Sequence, residues 1–249
     1  MLLEVDQVRK VFGTKRGQFE AVTPTSLQIA AGECFGLIGE SGSGKSTLAR
    51  MIAGTLAPTE GTIDLDGYRL NPKSGASRRA HQQRLQMVFQ DPRASFNPRM
   101  RVLDALREPL RYKLHRSSQE QAKAISEIMA RVNLPEQIVY RGLHSISVGQ
   151  AQRVAIARAL LAEPALIICD EITSALDTTV QASILEMLHQ LRGSQELSML
   201  FISHDIAVVA QLADRIAVMQ DGVIVERGET REVVTNPSHP YTQMLIELA

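Results

Sequence analysis

The sequence predicts an α/β fold built around a largely parallel, covered sheet, and three observations carry that reading. Short apolar runs of strand length recur at 33–38, 86–90, 165–169 and 197–202. Segments with apolar residues at helical spacing lie among them. A glycine-rich turn joins the first run to a helix. The 249 residues suffice for a well-buried core with a small subdomain.

Taken in order, the run 33–38 is bounded by Gly32 and Gly39, and residues 48–53 follow with helical character up to Gly54. Residues 71–83 are polar and basic and read as an exposed connection with a solvated charged face. After the strand at 86–90, Ile125, Ile128, Met129 and Val132 fall on one face of a helix at 120–132. Val180, Ile184, Leu188 and Leu191 do the same between the strands at 165–169 and 197–202, with Gly193 as the expected end. Near the C-terminus the runs 216–219 and 223–225 flank Gln220-Asp221-Gly222, a tight hairpin turn.

Composition narrows the class. Lysine plus arginine and aspartate plus glutamate each total 27, so nothing in the net charge points to nucleic acid as a partner. Cys34 and Cys169 sit inside apolar runs, far from metal-ligand spacing, and read as reduced core thiols. The opening Met1-Leu-Leu-Glu-Val-Asp has no apolar h-region, and the apolar stretch 159–169 is broken by Glu163-Pro164. A signal peptide and a membrane span are therefore not expected.

The chemistry centres on Gly39-Glu-Ser-Gly-Ser-Gly-Lys-Ser46, which fits the phosphate-binding pattern G-x-x-x-x-G-K-[ST] and lies between a strand and a helix. Its glycines allow backbone N–H groups to turn toward phosphate oxygens, Lys45 adds a cation near the β and γ groups, and Ser46 offers a hydroxyl to Mg²⁺. Such a loop serves kinases, GTPases and motors alike. Asp170 places a carboxylate at the C-terminal end of a buried strand, where a Mg²⁺ ligand belongs, and Glu171 follows it. Consecutive residues leaving a strand diverge, so one carboxylate can serve the metal while the other polarises a water.

With Gln90 after an apolar strand, Ser147-Val-Gly-Gln150 opening a helix, Ser174-Ala-Leu-Asp177 and His204, these motifs stand in the order and rough spacing of an ATP-binding cassette, and the chain resembles that family over essentially its whole length. The resemblance implies a phosphate-loop NTPase (RecA-like) core, at about 1–90 and 158–249, with an antiparallel β subdomain and a helical signature subdomain at about 91–157. It implies ATP as substrate and Mg²⁺ as cofactor, held by Ser46, Gln90 and Asp170, with Glu171 as general base and with Gln90 and His204 beside it. The nucleotide would be held by Phe12, stacked on adenine, and by Gly39, Glu40, Ser41, Gly42, Ser43, Gly44, Lys45, Ser46 and Thr47. Ser147, Gly149 and Gln150 would cap the nucleotide of a partner cassette, with Asp177 near the crossing between the two sites.

Residues 90–99 and 236–242 resemble segments of ATPases from dipeptide, oligopeptide and nickel importers. That implies a second ABC ATPase subunit as a hetero-dimer partner, two transmembrane permease subunits and, indirectly, a periplasmic or extracellular substrate-binding protein. It also implies a peripheral location on the cytoplasmic face of the membrane. The cysteine-bearing tail of some relatives is missing, so no iron–sulfur cluster is expected. A cassette without a membrane partner and a small-molecule phosphotransferase are the rival readings; the second leaves Ser147–Gln150 and His204 without a task.

Two positions depart from the family pattern. Ile172 stands where proline is commoner, and Val148 stands at the first glycine of the signature. If that position requires a backbone angle open only to glycine, valine costs about 1–3 kcal/mol and one of the two ATP sites is weakened. If valine takes ordinary helical geometry, both sites run equally.

Overall fold

A computed structural model describes residues 1–14, 17–97, 99–195 and 197–248. The chain opens with two long strands, β1 (Leu3–Thr14) and β2 (Gly17–Ile29), paired antiparallel from Leu3↔Ile29 to Thr14↔Gly17. Then come β3 (Cys34–Ile38), α1 (Lys45–Ile52), β4 (Glu60–Leu65), β5 (Tyr68–Arg69), α2 (Gly75–Arg84) and β6 (Leu85–Val88). Three helices follow, α3 (Val102–Tyr112), α4 (Ser118–Arg131) and α5 (Val148–Leu161), with short 3₁₀ turns at Glu136–Tyr140 and Leu143–Ser145. The rest is β7 (Leu166–Asp170), α6 (Thr178–Gln195), β8 (Ser198–Ser203), α7 (Ile206–Ala210), β9 (Arg215–Gln220), β10 (Val223–Glu229), α8 (Thr230–Thr235) and α9 (Pro240–Glu247).

Two sheets result. One runs β10-β9-β3-β8-β7-β6, parallel except for β10, and the other is antiparallel in the order β2-β1-β4-β5. Strands β3, β7 and β8 are buried at every position, as parallel strands covered on both faces must be. Their alternate residues divide between two cores. Cys34, Ile38, Ile167, Cys169, Met199 and Phe201 share one core with the helices α3 to α9, α7 lying against β3 and β8. Phe35, Leu37, Leu166, Ile168, Leu200 and Ile202 pack with α1 and the antiparallel sheet. Both cysteines are buried free thiols; burial pushes the Cys34 thiol up to about 12 and raises Cys169 as well, which disfavours a reactive thiolate at either.

Two expectations change. Residues 71–83 are not a connection: α2 forms there, capped by Ser74, whose hydroxyl accepts from Ser77 N. His81, 1% exposed, anchors it with Nε2 2.6 Å from Ile52 O, and burial lowers its pKa. A single buried anchor, itself polar, leaves no periodic apolar stripe to read. Helix α6 runs past Gly193, a position where an added Cβ would meet nothing within 4 Å, so the glycine marks no close packing that ends the helix. The hairpin at 220–222 forms as expected, with Asp221 at φ 48° and Gly222 at φ 82°. No helix among the described residues is long and apolar enough to cross a membrane.

Candidate functional site

The loop from Gly39 to Gly44 joins β3 to α1 and is confined by close approach of other backbone. A Cβ on Gly39 would lie 2.1 Å from Met219 O, and one on Gly44, at φ 105°, would lie 2.6 Å from Ala21 O. The glycines thus bring the loop against β9 and β2 and leave the N–H groups at the start of α1 facing outward. Lys45 is 3% exposed and folds back over the loop. Its Nζ donates to Gly39 O at 2.6 Å and Glu40 O at 2.8 Å, with Ser43 Oγ 3.3 Å away. Burial lowers its pKa, against the pull of Glu171, Asp170 and Glu40.

The adjacent strands β3, β8, β7 and β6 all run parallel, so their C-terminal ends gather residues distant in sequence. From the end of β7, Asp170 Oδ1 accepts from Ser46 Oγ over 3.2 Å. Burial pushes this carboxyl above its ordinary range, while the Ser46 hydrogen bond opposes the shift. Glu171 turns out of the strand in the left-handed region, φ 50°, held by its N–H donating to Ile202 O at 3.0 Å. Its Oε2 lies 3.8 Å from Nδ1 of His204, which follows β8 and is half exposed.

Gln90 leaves β6 and reaches the same place by a bridge. Its Nε2 donates to Ser174 Oγ at 2.9 Å, and that hydroxyl donates to Glu171 O at 2.9 Å. Sequence reasoning named Ser174 only as the first residue of Ser174-Ala-Leu-Asp177. A serine joining two loops leaves no local signal beyond its place in that run.

The remaining candidates stand apart. Phe12, 37% exposed near the end of β1, pairs in register with Phe19 and carries the Lys10 ammonium 5.0 Å from its ring centroid. It is not a core residue, and its ring is open to a stacking partner. Ser147 caps α5: its Oγ accepts from Gln150 N, and Gln150 Oε1 accepts from Ser147 N, both at 3.1 Å. Among the described residues no hydrogen bond joins Ser147, Gly149 or Gln150 to the 39–46 loop. Gly149 instead packs on Val180, whose N–H donates to Asp177 Oδ1 at 2.9 Å. Arg93 Nη2 donates to Ile146 O, tying the segment after Gln90 to the residue before Ser147. Pro98 of that segment lies outside the described residues.

Val148 is the first residue of α5 and does not lie in the positive-φ region. The strain expected of a valine in a glycine-only conformation is therefore absent; the side chain simply stands 38% exposed on the helix end. A helix N-terminus asks only for φ near −60°, which valine adopts without penalty.

Residues 22–174 match the family model described as ABC transporter. The oligopeptide transport ATP-binding protein OppF of Escherichia coli is 42% identical over 256 residues, spanning 99% of this chain and 77% of that protein. OppF of Streptococcus pyogenes serotype M1 is 42% identical over 247 residues, 98% of this chain and 80% of its own length. Among solved structures, cbiO1 from Clostridium perfringens, part of the ABC transporter complex cbiONQ, superposes with TM-score 0.84 at 27% identity, covering 94% of this chain and 91% of that one. A dimeric ATP-binding cassette in a post-hydrolysis state bound to ADP and Pi gives 0.84 at 29% identity, covering 92% and 99%.

Proposed function

The chain belongs to the ABC transporter family, and on that premise we propose that it is the ATP-hydrolysing subunit of a peptide importer. The observation that carries this reading is the convergence of the phosphate loop, Asp170, Glu171, His204 and Gln90 at the ends of four adjacent parallel strands. Peptide cargo is supported by the names of the relatives and by the resemblance of residues 90–99 and 236–242.

In this reading the α1 N-terminus and the Lys45 ammonium receive the phosphates and offset the charge that develops on them. Glu171 accepts a proton as water oxygen attacks the γ-phosphorus and the bond to the β-phosphate oxygen breaks, releasing ADP and phosphate. His204 keeps its ring beside Glu171, and the Ser174 bridge holds Gln90 over the same spot. The neighbouring Ser46 hydroxyl and Asp170 carboxylate, with the Gln90 amide oxygen, form the all-oxygen donor set that suits Mg²⁺. When bound there, Mg²⁺ supplies Lewis-acid neutralisation of phosphate oxygens.

Ser147 and Gly149 serve the nucleotide of a second cassette. The Ser147 hydroxyl accepts from its own helix and keeps its proton for a γ-phosphate oxygen. The packing of α3 and α4 on α5 supports a helical subdomain at about 91–157 that carries this end of α5 as a unit. The partners are then a second cassette, a different chain in the hetero-dimer reading, and two permease subunits, with the chain peripheral on the cytoplasmic face.

The test is ATP turnover of the purified chain across protein concentrations, alone and with the second cassette and permease subunits. The chain alone should be a weak ATPase, and assembly should raise the rate strongly and cooperatively. Full-rate, concentration-independent hydrolysis per monomer would overturn the proposal.

A further inference from the structure

The segment 236–242 reaches back to the phosphate loop. It folds around the Glu226 carboxylate of β10, where Oε1 accepts from Ser238 N at 2.7 Å and Ser238 Oγ at 2.8 Å, and Oε2 accepts from His239 N at 3.1 Å. His239 Nδ1 then accepts from Tyr241 N at 3.2 Å and caps α9, with Pro240 in its first turn. This clamp turns Tyr241 inward, 7% exposed, and the phenol oxygen accepts from Glu40 N over 2.9 Å.

The Glu40 residue is thereby held from both sides. Its N–H donates to Tyr241, 201 positions away, and its carbonyl accepts from Lys45 Nζ at 2.8 Å. Directly before it, Gly39 is pressed so closely on Met219 O that no side chain fits. With the preceding glycine confined and its own N–H and C=O both engaged, Glu40 has little freedom to rotate. Its N–H is committed to α9 rather than to the group that opens α1.

We propose that Tyr241 is a positioning residue of the phosphate loop, fixing the Glu40 peptide so that the remaining N–H groups are preset for ATP; this rests on reading the loop as the ATP site. Burial pushes the phenol up, so the oxygen stays neutral and the bond joins two uncharged groups. Without that bond the loop samples other orientations, and ordering it becomes part of the cost of binding nucleotide. The loss falls on affinity, because no reacting atom is touched.

The experiment uses the full chain, comparing wild type with Tyr241→Phe, Leu245→Val and Lys45→Ala. It measures ATP affinity by titration calorimetry, hydrogen exchange at the Glu40 amide without nucleotide, and the thermal midpoint. Tyr241→Phe should accelerate Glu40 exchange and weaken ATP binding about three- to tenfold, the range of one neutral hydrogen bond. In the assembled transporter KM should rise with kcat retained. Leu245→Val, which trims a buried apolar side chain on the same helix without touching the Glu226 clamp, should lower the thermal midpoint but change neither readout. Binding by Tyr241→Phe within about 1.5-fold of wild type, or unaltered Glu40 exchange, would overturn the role of Tyr241. An equal loss of affinity in Leu245→Val would also overturn it, by showing that α9 acts through general stability. If wild type binds ATP no better than Lys45→Ala, the ATP reading itself fails, and the effect on affinity with it.

Discussion

Ser46 Oγ donates to Asp170 Oδ1 over 3.2 Å, joining the first turn of α1 to the end of β7 across 124 positions of sequence. Burial, only partly opposed by this bond, pushes the Asp170 carboxyl, 8% exposed, above its ordinary value of 3.8. A group whose folded pKa is raised favours folding fully below the unfolded pKa, and that contribution is lost as pH rises through the folded value. Above its folded pKa the ionised Asp170 is therefore a net cost to folding.

Asp170→Asn should thus raise the urea midpoint at pH 7, and the gain over wild type should shrink as pH falls through the carboxylate range. The amide oxygen still accepts from Ser46, while turnover should fall by more than about tenfold for want of the charge proposed to hold Mg²⁺. A variant no more stable than wild type at pH 7 would show that Asp170 is not held against its preference.

Glu171→Gln keeps the backbone bond to Ile202 O and loses the carboxylate proposed as the base. ATP binding should persist while turnover drops about 10²–10⁴-fold, and the assembled cassettes should stay paired in the presence of ATP. More than about a tenth of normal turnover would count against Glu171 as the proton acceptor.

Gly149 and Val180 are in conflict for space in any larger variant, since a Cβ on Gly149 would sit 2.7 Å from Val180 Cγ1. Gly149→Ala should cost about 1–3 kcal/mol by overpacking, and Val180→Ala introduced with it should recover most of that loss. Urea midpoints of the two single variants and the double variant measure the coupling. Simple additivity would mean that α5 and α6 part without resistance.

Val148→Gly is expected to leave turnover within about twofold in the assembled transporter when the other site is silenced by Glu171→Gln, because valine already has helical geometry. Its effect should instead be a loss of about 0.5–1 kcal/mol in stability from glycine in the first turn of α5. A large gain in rate on restoring glycine would revive the picture of one weak and one strong site, through the bulk of the exposed side chain rather than backbone strain.

What the sequence determined by itself was local. The loop 39–46 declares its chemistry within eight positions, and β3, β7 and β8 declare themselves through apolar runs too short for helices. Asp170 and Glu171 were legible because they end such a run. The long ribbon of β1 and β2 was not read from its residues, since much of its length is exposed and its pairing carries bulges that break the period of two. Helix α2 escaped for a similar reason, with His81 as its sole buried residue.

The tertiary structure alone decided which of these pieces meet. The strand order β3-β8-β7-β6 puts His204 beside Glu171 and brings Gln90 to Ser174, and the clamp on Glu226 delivers Tyr241 to Glu40. Periodicity and turn chemistry act over roughly ten residues, within the persistence of a single element. Contacts across 84 or 201 positions depend instead on how two cores share the faces of one sheet. The same packing settled Val148, because whether a position demands glycine is a property of the backbone path there and not of the residue that occupies it.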